Sequence, residues 1–333
     1  MTYALAFFIS GAVVVLAGTA LARQADRIAQ LTGLGRLWIG SVLLAAATSL
    51  PELTTDIAAV RLDAVDLAVG DLFGSSMANM LILALIDLLP PRGQVLRGAA
   101  FDHALAASLG IGLNAAAAVL ILARPEVTWL GVGPGSVFLV VAYLAGTRAV
   151  YRQTFRHGSA PESAPSSTVK DTGRSLQRTV IGFLGAALTI VAAAPVFAWS
   201  AKGIAEITGL GTTFVGTWLV GFSTSLPELV SSIAAVRMGA FDLAVGNLFG
   251  SNALNMAIFV ALDVAQPGPA IFAALDVSHV LSALIAVILM GLGLAAIVYR
   301  AERRYAMLEP SSLLMLVTYV VGVWLLYART TGG

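Results

Sequence analysis

A stretch of 48 residues occurs twice in this sequence, and the second copy begins 176 positions after the first. Residues 40–87 align with residues 216–263 without a gap, and 27 of the 48 aligned pairs are identical. Both copies contain Thr-Ser-Leu-Pro-Glu, at 48–52 and 224–228, followed by Gly-x-Leu-Phe-Gly-Ser and Asn-Met. Chance similarity in an apolar chain rarely keeps Pro, Glu, Gly and Asn in register. The chain is therefore a duplicated unit with a polar motif inside apolar helices.

The composition places the duplicated unit in a membrane. Of 333 residues, 58% are hydrophobic and 11% are charged, whereas soluble domains carry roughly 25% charged residues. Apolar runs of about 20 residues, the length that crosses a bilayer, recur along the chain. There is no cysteine, which excludes disulfides and thiolate metal sites, and three histidines disfavour a zinc centre. The first apolar run lacks a basic flank and a clear cleavage site, so we expect a retained span.

Ten transmembrane helices are predicted, five on each side of a polar segment at 150–178 that is rich in Ser and Pro and is typical of a flexible linker. The predicted fold class is an all-α polytopic membrane protein with repeats at 1–149 and 179–333. The predicted spans are 3–22, 37–60, 64–88, 102–122, 129–149, 179–199, 212–236, 242–264, 277–298 and 311–328.

Basic residues predict the orientation of these spans. With the N-terminus outside, fifteen basic residues fall on the cytoplasmic side and four (Arg61, Arg124, Lys202 and Arg329) fall outside, as the positive-inside rule requires. The linker is then cytoplasmic and both termini are outside. Because each repeat has an odd number of spans, the two repeats lie upside-down relative to each other in the cell membrane.

The Thr-Ser-Leu-Pro-Glu motif predicts a broken helix in each repeat. Pro51 and Pro227 fall in the middle of spans 2 and 7, where proline removes a backbone donor, so we expect both helices to be discontinuous. The breaks would free carbonyls of Ala45 to Ser49 and of Gly221 to Ser225. Proline at the start of the second half-helix would place Glu52 and Glu228 in its opening turn.

The expected donors are hard oxygen atoms, which suit Ca²⁺ or Na⁺ and offer nothing to soft metals. Each glutamate would lie beside the freed carbonyls and the hydroxyls of the same motif. In the second half of each motif, Ser75 and Asn79, like Ser251 and Asn255, are four residues apart and share a helical face. Gly70, Gly74, Gly246 and Gly250 would let helices approach closely. We expect the two Glu-bearing helices to cross at the midplane, framed by the Gly-Ser-Asn helices. The predicted cation ligands are Glu52, Glu228, Thr48, Ser49, Thr224, Ser225, Ser75, Ser251, Asn79, Asn255, Ala45 and Gly221.

The remaining acids divide into symmetric and asymmetric ones. A mid-bilayer carboxylate costs at least ~2.5 kcal/mol, which marks a functional site unless a buried base pairs with it. No Lys or Arg lies in the spans near Glu52 or Glu228. Asp56 and Asp71 are matched by Ser232 and Asn247, so either acid could add a carboxylate or line an access pathway. Three repeat-matched pairs lie near span ends. We expect Asp87 and Asp263 to be solvated, and Asp66 and Asp242 to be helix-start residues. A role in pH sensing is a minor alternative for His103 and His279.

These motifs resemble those of the sodium/calcium exchanger family of cation/calcium antiporters. The resemblance rests on residues 47–52 and 70–76, and on 223–228 and 246–252. It implies antiport of Ca²⁺ against Na⁺ by alternating access, with the first span of each half sliding over a fixed core. It also implies that Glu52 and Glu228 are shared ligands, assisted by the hydroxyls, amides and backbone named above. The transported ions would be Ca²⁺ and Na⁺, with no cofactor, no nucleic acid and no protein partner implied, which is compatible with a monomer.

Departures from the family pattern leave alternatives open. Asp71 and Ser76 stand where the family has Asn, which bears on cation selectivity. A Ca²⁺/H⁺ exchanger is the second reading, although the extra Glu of that branch is absent here and Asp71 would have to carry the proton. Transport of another divalent cation is a smaller alternative. A membrane-embedded enzyme is disfavoured, because the sequence lacks Gly-x-Gly-Asp, a catalytic partner for Asp71 and any His-Glu-x-x-His. A passive channel would need a continuous polar stripe, which the spans lack.

Overall fold

The computed structural model describes residues 2–88, 95–98, 103–129, 131–156, 169–208, 224–266, 268–299 and 310–331. These residues form helices and connecting turns, and the described part of the chain contains no strand beyond one isolated bridge between Trp129 and Val132. The elements are α1 (Thr2–Thr32), α2 (Arg36–Trp38), a π-helical turn (Ile39–Leu44), α3 (Ala45–Thr48), α4 (Leu50–Arg61), α5 (Val65–Asp87), α6 (Val95–Gly98), α7 (His103–Ala123), α8 (Pro134–Arg156), α9 (Val169–Thr208), α10 (Leu226–Arg237), α11 (Phe241–Ala265), α12 (Ile271–Ala274), α13 (His279–Tyr299) and α14 (Pro310–Thr331).

Eight of the described helices are long and apolar enough to cross a membrane, and a ninth span results if the bent pair Arg36–Thr48 and Leu50–Arg61 is counted as one. The predicted seventh span, 212–236, is represented by α10 alone, because residues 209–223 lie outside the described part. The flanks of the predicted linker are helical, since α8 continues to Arg156 and α9 begins at Val169. The prediction of a flexible segment over all of 150–178 is therefore wrong at both ends.

α5 and α11 form the centre of the bundle. In each, 72% of the apolar span is buried, against 28% in α1 and in α9. α11 packs against the π-helical turn, α5, α7, α8 and α10, whereas α1 packs mainly on α9 and α10. Long helices whose surface is largely apolar and exposed, such as α1 and α14, face the lipid in a membrane protein. The core is thus built from the two duplicated segments, with the other helices around them.

The first duplicated segment bends where proline interrupts the helix. Ser49 has φ −86° and ψ 4°, and the segment Arg36–Thr48 meets α4 there at 42°. Pro51 stands in the first turn of α4 and Pro227 in that of α10, as predicted. The sequence did not indicate the π-helical turn before α3.

The bend does not leave the predicted carbonyls unbonded. The Ala45 carbonyl accepts the Ser49 N–H at 3.0 Å, the Ser49 carbonyl accepts the Leu53 N–H at 3.1 Å, and the Ser225 carbonyl accepts the Leu229 N–H at 3.1 Å. The prediction of freed carbonyls is wrong for these three atoms, because a single proline removes a single donor and leaves the neighbouring hydrogen bonds intact. A carbonyl oxygen has a second lone pair, so a ligand role of Ala45 stays a prediction. Gly221 lies outside the described residues.

Close backbone contact joins α11 to the first duplicated segment. A Cβ atom on Gly246 would lie 2.8 Å from the Leu37 carbonyl oxygen, and one on Gly250 would overlap the Ser41 backbone. A Cβ atom on Gly40 would in turn lie 2.6 Å from the Leu243 carbonyl oxygen. The predicted close approach is confirmed for Gly246 and Gly250, because no side chain other than hydrogen fits between these backbones. It is wrong for Gly70 and Gly74, where a Cβ atom would meet only the His279 ring at 3.7 Å or nothing within 4 Å.

Candidate cation site

Glu52 and Glu228 lie in the opening turns of α4 and α10, and both residues are fully buried. The N-terminus of a helix carries a partial positive charge, which favours an anion in the first turn. This contribution of roughly 0.3–1 kcal/mol is much smaller than the cost of burying a carboxylate without a partner. The two side chains therefore need further polar neighbours.

Serine hydroxyls supply these neighbours across the boundary between repeats. Ser49 Oγ, from the first copy, donates to Glu228 Oε1 of the second copy at 3.3 Å. Ser75 Oγ lies 3.3 Å from Glu52 Oε1 and 3.0 Å from Ser225 Oγ. These contacts join the two duplicated segments into one polar cluster, as the sequence led us to expect.

The threonines of the two motifs also reach across, and they occupy repeat-equivalent positions. Thr48 Oγ1 lies 3.2 Å from Asn247 Oδ1, and Thr224 Oγ1 lies 3.2 Å from Asp71 Oδ1. Each threonine thus contacts the second residue of the Gly-x-Leu-Phe-Gly-Ser motif in the other copy. Asp71 therefore borders the glutamate cluster, and Asp56 is buried beside it on α4.

Asparagine side chains close the cluster from α5 and α11. Asn79 Nδ2 donates to Asn252 Oδ1 at 2.9 Å, and Asn255 Nδ2 reaches the Leu72 carbonyl at 3.5 Å. Ser251 is also fully buried, and its Oγ has no hydrogen-bond partner among the described residues.

Two buried polar side chains, Asn114 and Ser231, escaped the sequence reasoning. Asn114 on α7 contacts the Asn252 carbonyl at 3.4 Å, and Asn247 Nδ2 donates to Ser231 Oγ at 3.2 Å. Asn114 is the one amide side chain of α7, and a polar residue at membrane depth is itself a signal of a functional site. Ser231 has no such signal, because serine is common in helices that pack closely in membranes.

The unpaired oxygen atoms are concentrated at this cluster. Within the described residues, buried oxygens without a hydrogen-bond partner include Glu52 Oε2, Glu228 Oε2, Asp56 Oδ2, Asp71 Oδ2, Asn79 Oδ1, Asn255 Oδ1 and Ser251 Oγ. Buried polar atoms normally have partners, because each unpaired one costs about 1–3 kcal/mol. A group of acceptors gathered at one place is the arrangement that a hard cation requires.

Positive side chains do not compensate these acids in the described part of the chain. The described salt bridges join Asp26 to Arg36, Asp242 to His103 and Asp66 to His279. No three His, Asp or Glu side chains of the described residues are grouped tightly enough to hold a metal ion by themselves. The donor set is therefore two glutamates with neutral oxygens, and Asp56 and Asp71 lie on its flank.

Asp87 and Asp263 are buried, so the prediction that they are solvated is wrong. Asp87 Oδ2 accepts the Ser312 hydroxyl at 2.7 Å, and Asp263 Oδ2 accepts the Ser136 hydroxyl at 2.7 Å. Each aspartate also accepts a backbone N–H, from Leu96 or from Ile271. Asp87 ends α5 and Asp263 lies two residues before the end of α11. Each is covered by the start of a short helix of its own repeat and by a serine of the opposite repeat. Asp66 and Asp242 do lie in first turns, as predicted.

Comparison with known proteins decides the family. The sequence profile of the family described as "Sodium/calcium exchanger protein" matches residues 2–150 and 178–328, which include both repeats. This chain belongs to the sodium/calcium exchanger family. Family membership makes it an ion-transporting membrane antiporter and not an enzyme.

Individual relatives agree with this assignment. The chain is 31% identical over 258 residues to "Inner membrane protein YrbG" of Escherichia coli, covering 75% of each chain. It is 28% identical over 299 residues to "Putative antiporter CaxA" of Alkalimonas amylolytica, covering 87% of this chain and 88% of the relative. The solved structure of the sodium-calcium exchanger NCX_Mj, soaked with Na⁺ and no Ca²⁺, superposes with a TM-score of 0.69 at 21% identity over 97% of this chain and 98% of the other. At that identity the superposition shows a shared fold.

Proposed function

We propose that this exchanger moves Ca²⁺ in one direction and Na⁺ in the other, by alternating access to the site between Glu52 and Glu228. The observation that carries the proposal is the arrangement of these two glutamates. They are fully buried, come from opposite repeats and are hydrogen-bonded by serines of the two motifs. Two carboxylates balance one Ca²⁺ or two Na⁺, so the same site can alternate between the two ions.

The predicted ligand set stays part of this proposal. Hydroxyls of Ser49 and Ser75 contact the two carboxylates, and Ser225 contacts Ser75. Thr48 and Thr224 border the same cluster through Asn247 and Asp71. Ca²⁺ takes about 6–8 oxygen ligands, more than two carboxylates supply, so neutral oxygens are needed. Support for the further ligands comes from burial and unpaired oxygens at Ser251, Asn79 and Asn255, and Ala45 and Gly221 would add backbone oxygens.

We also propose the ten-span arrangement, with an inverted second repeat and discontinuous second and seventh spans. Both termini lie outside, the linker is cytoplasmic, and the protein works as a monomer in the cell membrane.

The packing of α1 and α9, the first spans of the two repeats, supports their movement over the rest of the bundle. α1 and α9 lie against each other on the outside of the bundle, and α1 passes over α10, where Gly18 meets Val230 and the Pro227 carbonyl. Small residues along α1 leave room for such sliding.

A second candidate is Ca²⁺/H⁺ exchange. Asp71 favours it, because this carboxylate borders the cluster through Thr224 and has no counterpart in the second repeat. The relative named as a putative antiporter does not distinguish the two coupling ions.

Ion replacement separates the two candidates. Purified protein is reconstituted in liposomes loaded with Na⁺, with K⁺, or with an acidic K⁺ buffer, and entry of ⁴⁵Ca²⁺ is followed. The proposal predicts uptake that requires internal Na⁺. Uptake driven by the acid interior alone would replace it with Ca²⁺/H⁺ exchange, and absence of uptake from all three would remove Ca²⁺ as the substrate.

A further inference from the structure

Asn79 on α5 and Asn255 on α11 occupy equivalent positions in the two repeats, but their amides have different partners. Asn79 Nδ2 donates to Asn252 Oδ1 at 2.9 Å. Asn255 Nδ2 reaches only the Leu72 carbonyl, at 3.5 Å. The first-repeat equivalent of Asn252 is Ser76, and its hydroxyl donates to the same Leu72 carbonyl at 2.9 Å. In the described hydrogen bonds, a second amide therefore holds Asn79 and not Asn255.

The direction of the Asn79–Asn252 hydrogen bond decides which end of the Asn79 amide is left for a ligand. A primary amide has one donor end and one acceptor end. Because Asn252 takes the NH₂ group of Asn79, the oxygen Oδ1 of Asn79 is buried and has no partner among the described residues. Asn79 lies one turn after Ser75, whose hydroxyl contacts Glu52 Oε1 at 3.3 Å. The unpaired oxygen thus belongs to the face of α5 that meets the glutamate cluster.

The side chain of Asn252 is not itself suited to bind a cation. Its Oδ1 is occupied by the Asn79 amide. Its other end, Nδ2, is a donor that has no hydrogen-bond partner in the described part of the chain. A hard cation is bound by oxygen atoms and not by N–H groups. An effect of the Asn252 side chain on the cation therefore passes through Asn79.

Asn114 on α7 supports Asn252 from the side opposite to α5. Asn114 Nδ2 donates to the Gly110 carbonyl at 2.9 Å and lies 3.4 Å from the Asn252 backbone carbonyl. Asn114 Oδ1 is a buried acceptor without a partner among the described residues. An unused acceptor on a residue that touches Asn252 favours the orientation in which Asn252 keeps its oxygen, and not its NH₂ group, for Asn79. The equivalent position in the second repeat is Met290, which has no amide.

We propose that Asn252 is a positioning residue of the cation site, which accepts the NH₂ group of Asn79 and thereby keeps Asn79 Oδ1 available to the ion. A reversed Asn79 amide would place an N–H group where the ion needs an oxygen. The inference rests on the proposed role of Asn79 as a ligand of the exchanged cation. Because Ser76 stands at the equivalent position, this orientation of a ligand by a second amide belongs to one side of the pseudosymmetric core.

A double-mutant cycle in the equilibrium binding of ⁴⁵Ca²⁺ and ²²Na⁺ to the purified full-length protein tests this dependence. Asn252→Ser gives the second repeat the residue of the first. We expect it to weaken cation binding about fivefold in the wild type, as the loss of one hydrogen bond predicts. In the Asn79→Ala background no amide remains to be oriented, so Asn252→Ser should weaken binding less than about twofold. Asn79→Ala alone should weaken binding about tenfold.

Ser136→Ala is the matched control for a loss of stability. It also removes a buried hydrogen bond between the repeats, from Ser136 Oγ to Asp263 Oδ2 at 2.7 Å, but it lies outside the glutamate cluster. It should lower the apparent Tm and leave the cation affinity unchanged. A residue with a merely structural role would weaken binding by the same factor in both backgrounds. Equal factors for Asn252→Ser, or no loss in either background, would overturn the positioning role.

If Asn252→Ser does not give folded protein, wild-type crystals soaked in Sr²⁺, an analogue of Ca²⁺ that scatters anomalously, decide the question. An ion with the Asn79 side chain among its ligands, and with Asn252 on the other end of that amide, supports the proposal. An ion that binds Asn252 directly, an ion without Asn79 among its ligands, or the absence of an ion contradicts it.

The two proposals fail in different ways. A non-additive cycle in Na⁺ binding by a protein that does not exchange Ca²⁺ in liposomes would remove the proposed function and leave Asn252 in its role. Na⁺/Ca²⁺ exchange with additive effects of the Asn79 and Asn252 substitutions would do the reverse. Binding of neither ion would contradict both.

Discussion

His103 and Asp242 come from different repeats, and the imidazole Nε2 lies 2.9 Å from the carboxylate Oδ1. His279 and Asp66 make the same contact at 3.0 Å with the repeats exchanged. His103 aligns with His279 and Asp66 with Asp242, so the duplication produces two equivalent contacts between repeats. They join the starts of α5 and α11 to the starts of α13 and α7, and they differ in burial.

The difference in burial predicts unequal effects of removing the two histidines. His103 is fully buried, whereas the His279 side chain is 12% exposed and its Asp66 partner 60% exposed. His103→Ala deletes a buried ring and its hydrogen bond, so it should lower stability by about 2–4 kcal/mol. His279→Ala removes a largely solvated contact worth about 0–1 kcal/mol. Apparent Tm values in one detergent measure both variants, and equal shifts would contradict the ranking.

The buried aspartates at the ends of the central helices should be structural. Asp263 accepts three hydrogen bonds, from Gly133 N, Ser136 Oγ and Ile271 N, at 2.7–2.8 Å. Asp263→Asn places an N–H group against one of these donors, which costs about 1–3 kcal/mol. Asp87→Asn should cost less, because Asp87 accepts two hydrogen bonds from the described residues.

A matched control for the aspartates is Asp63→Asn. Asp63 is exposed and has φ 59°, a conformation that asparagine adopts readily. Its apparent Tm should match that of the wild type. A Tm for Asp263→Asn equal to that of the control would show that the buried hydrogen bonds contribute nothing to stability.

Gly250 should tolerate no side chain. A methyl group there overlaps the Ser41 backbone, and overpacking typically costs 1–3 kcal/mol or more. Gly250→Ala should therefore reduce the yield of monodisperse protein and lower the apparent Tm. Gly112→Ala on α7 meets nothing within 4 Å and should raise stability by up to about 1 kcal/mol, because alanine favours the helix. Similar Tm values for the two variants would contradict the close approach of α11 to the π-helical turn.

Ser75 should contribute to cation binding without being essential. Its hydroxyl contacts Glu52 and Ser225 at once, so Ser75→Ala removes one neutral oxygen and one support of the carboxylate. A loss of about 1 kcal/mol corresponds to a roughly fivefold weaker apparent Ca²⁺ affinity. Ser108→Ala is the control, because that hydroxyl lies on the exposed face of α7 and is bonded to the Ala104 carbonyl. Equal affinities of the two variants in liposome uptake would remove Ser75 from the ligand set.

Sequence reasoning found the parts of the molecule that repeat and missed those that depend on packing. The aligned Pro51 and Pro227 identified the helix starts, and the mid-span positions of Glu52 and Glu228 identified the cluster, because proline and a buried carboxylate have large local costs. Asp87 and Asp263 were misjudged for a different reason. A side chain near the end of a membrane span is expected to face water. Ser312 and Ser136, which cover the two aspartates, belong to the opposite repeat and lie 225 and 127 residues away along the chain.

The central claim is that Glu52 and Glu228 together hold the transported cation. The most direct measurement is Na⁺-dependent ⁴⁵Ca²⁺ uptake by liposomes containing the wild type, Glu52→Gln, Glu228→Gln or the exposed-site control Asp63→Asn, each first checked for a monodisperse elution profile. We predict that either glutamine variant lowers uptake by at least about 100-fold, since losing one of two charges that balance Ca²⁺ in a buried site costs about 3 kcal/mol or more. Asp63→Asn should retain wild-type uptake. Uptake within a few fold of wild type in both folded glutamine variants would contradict the account.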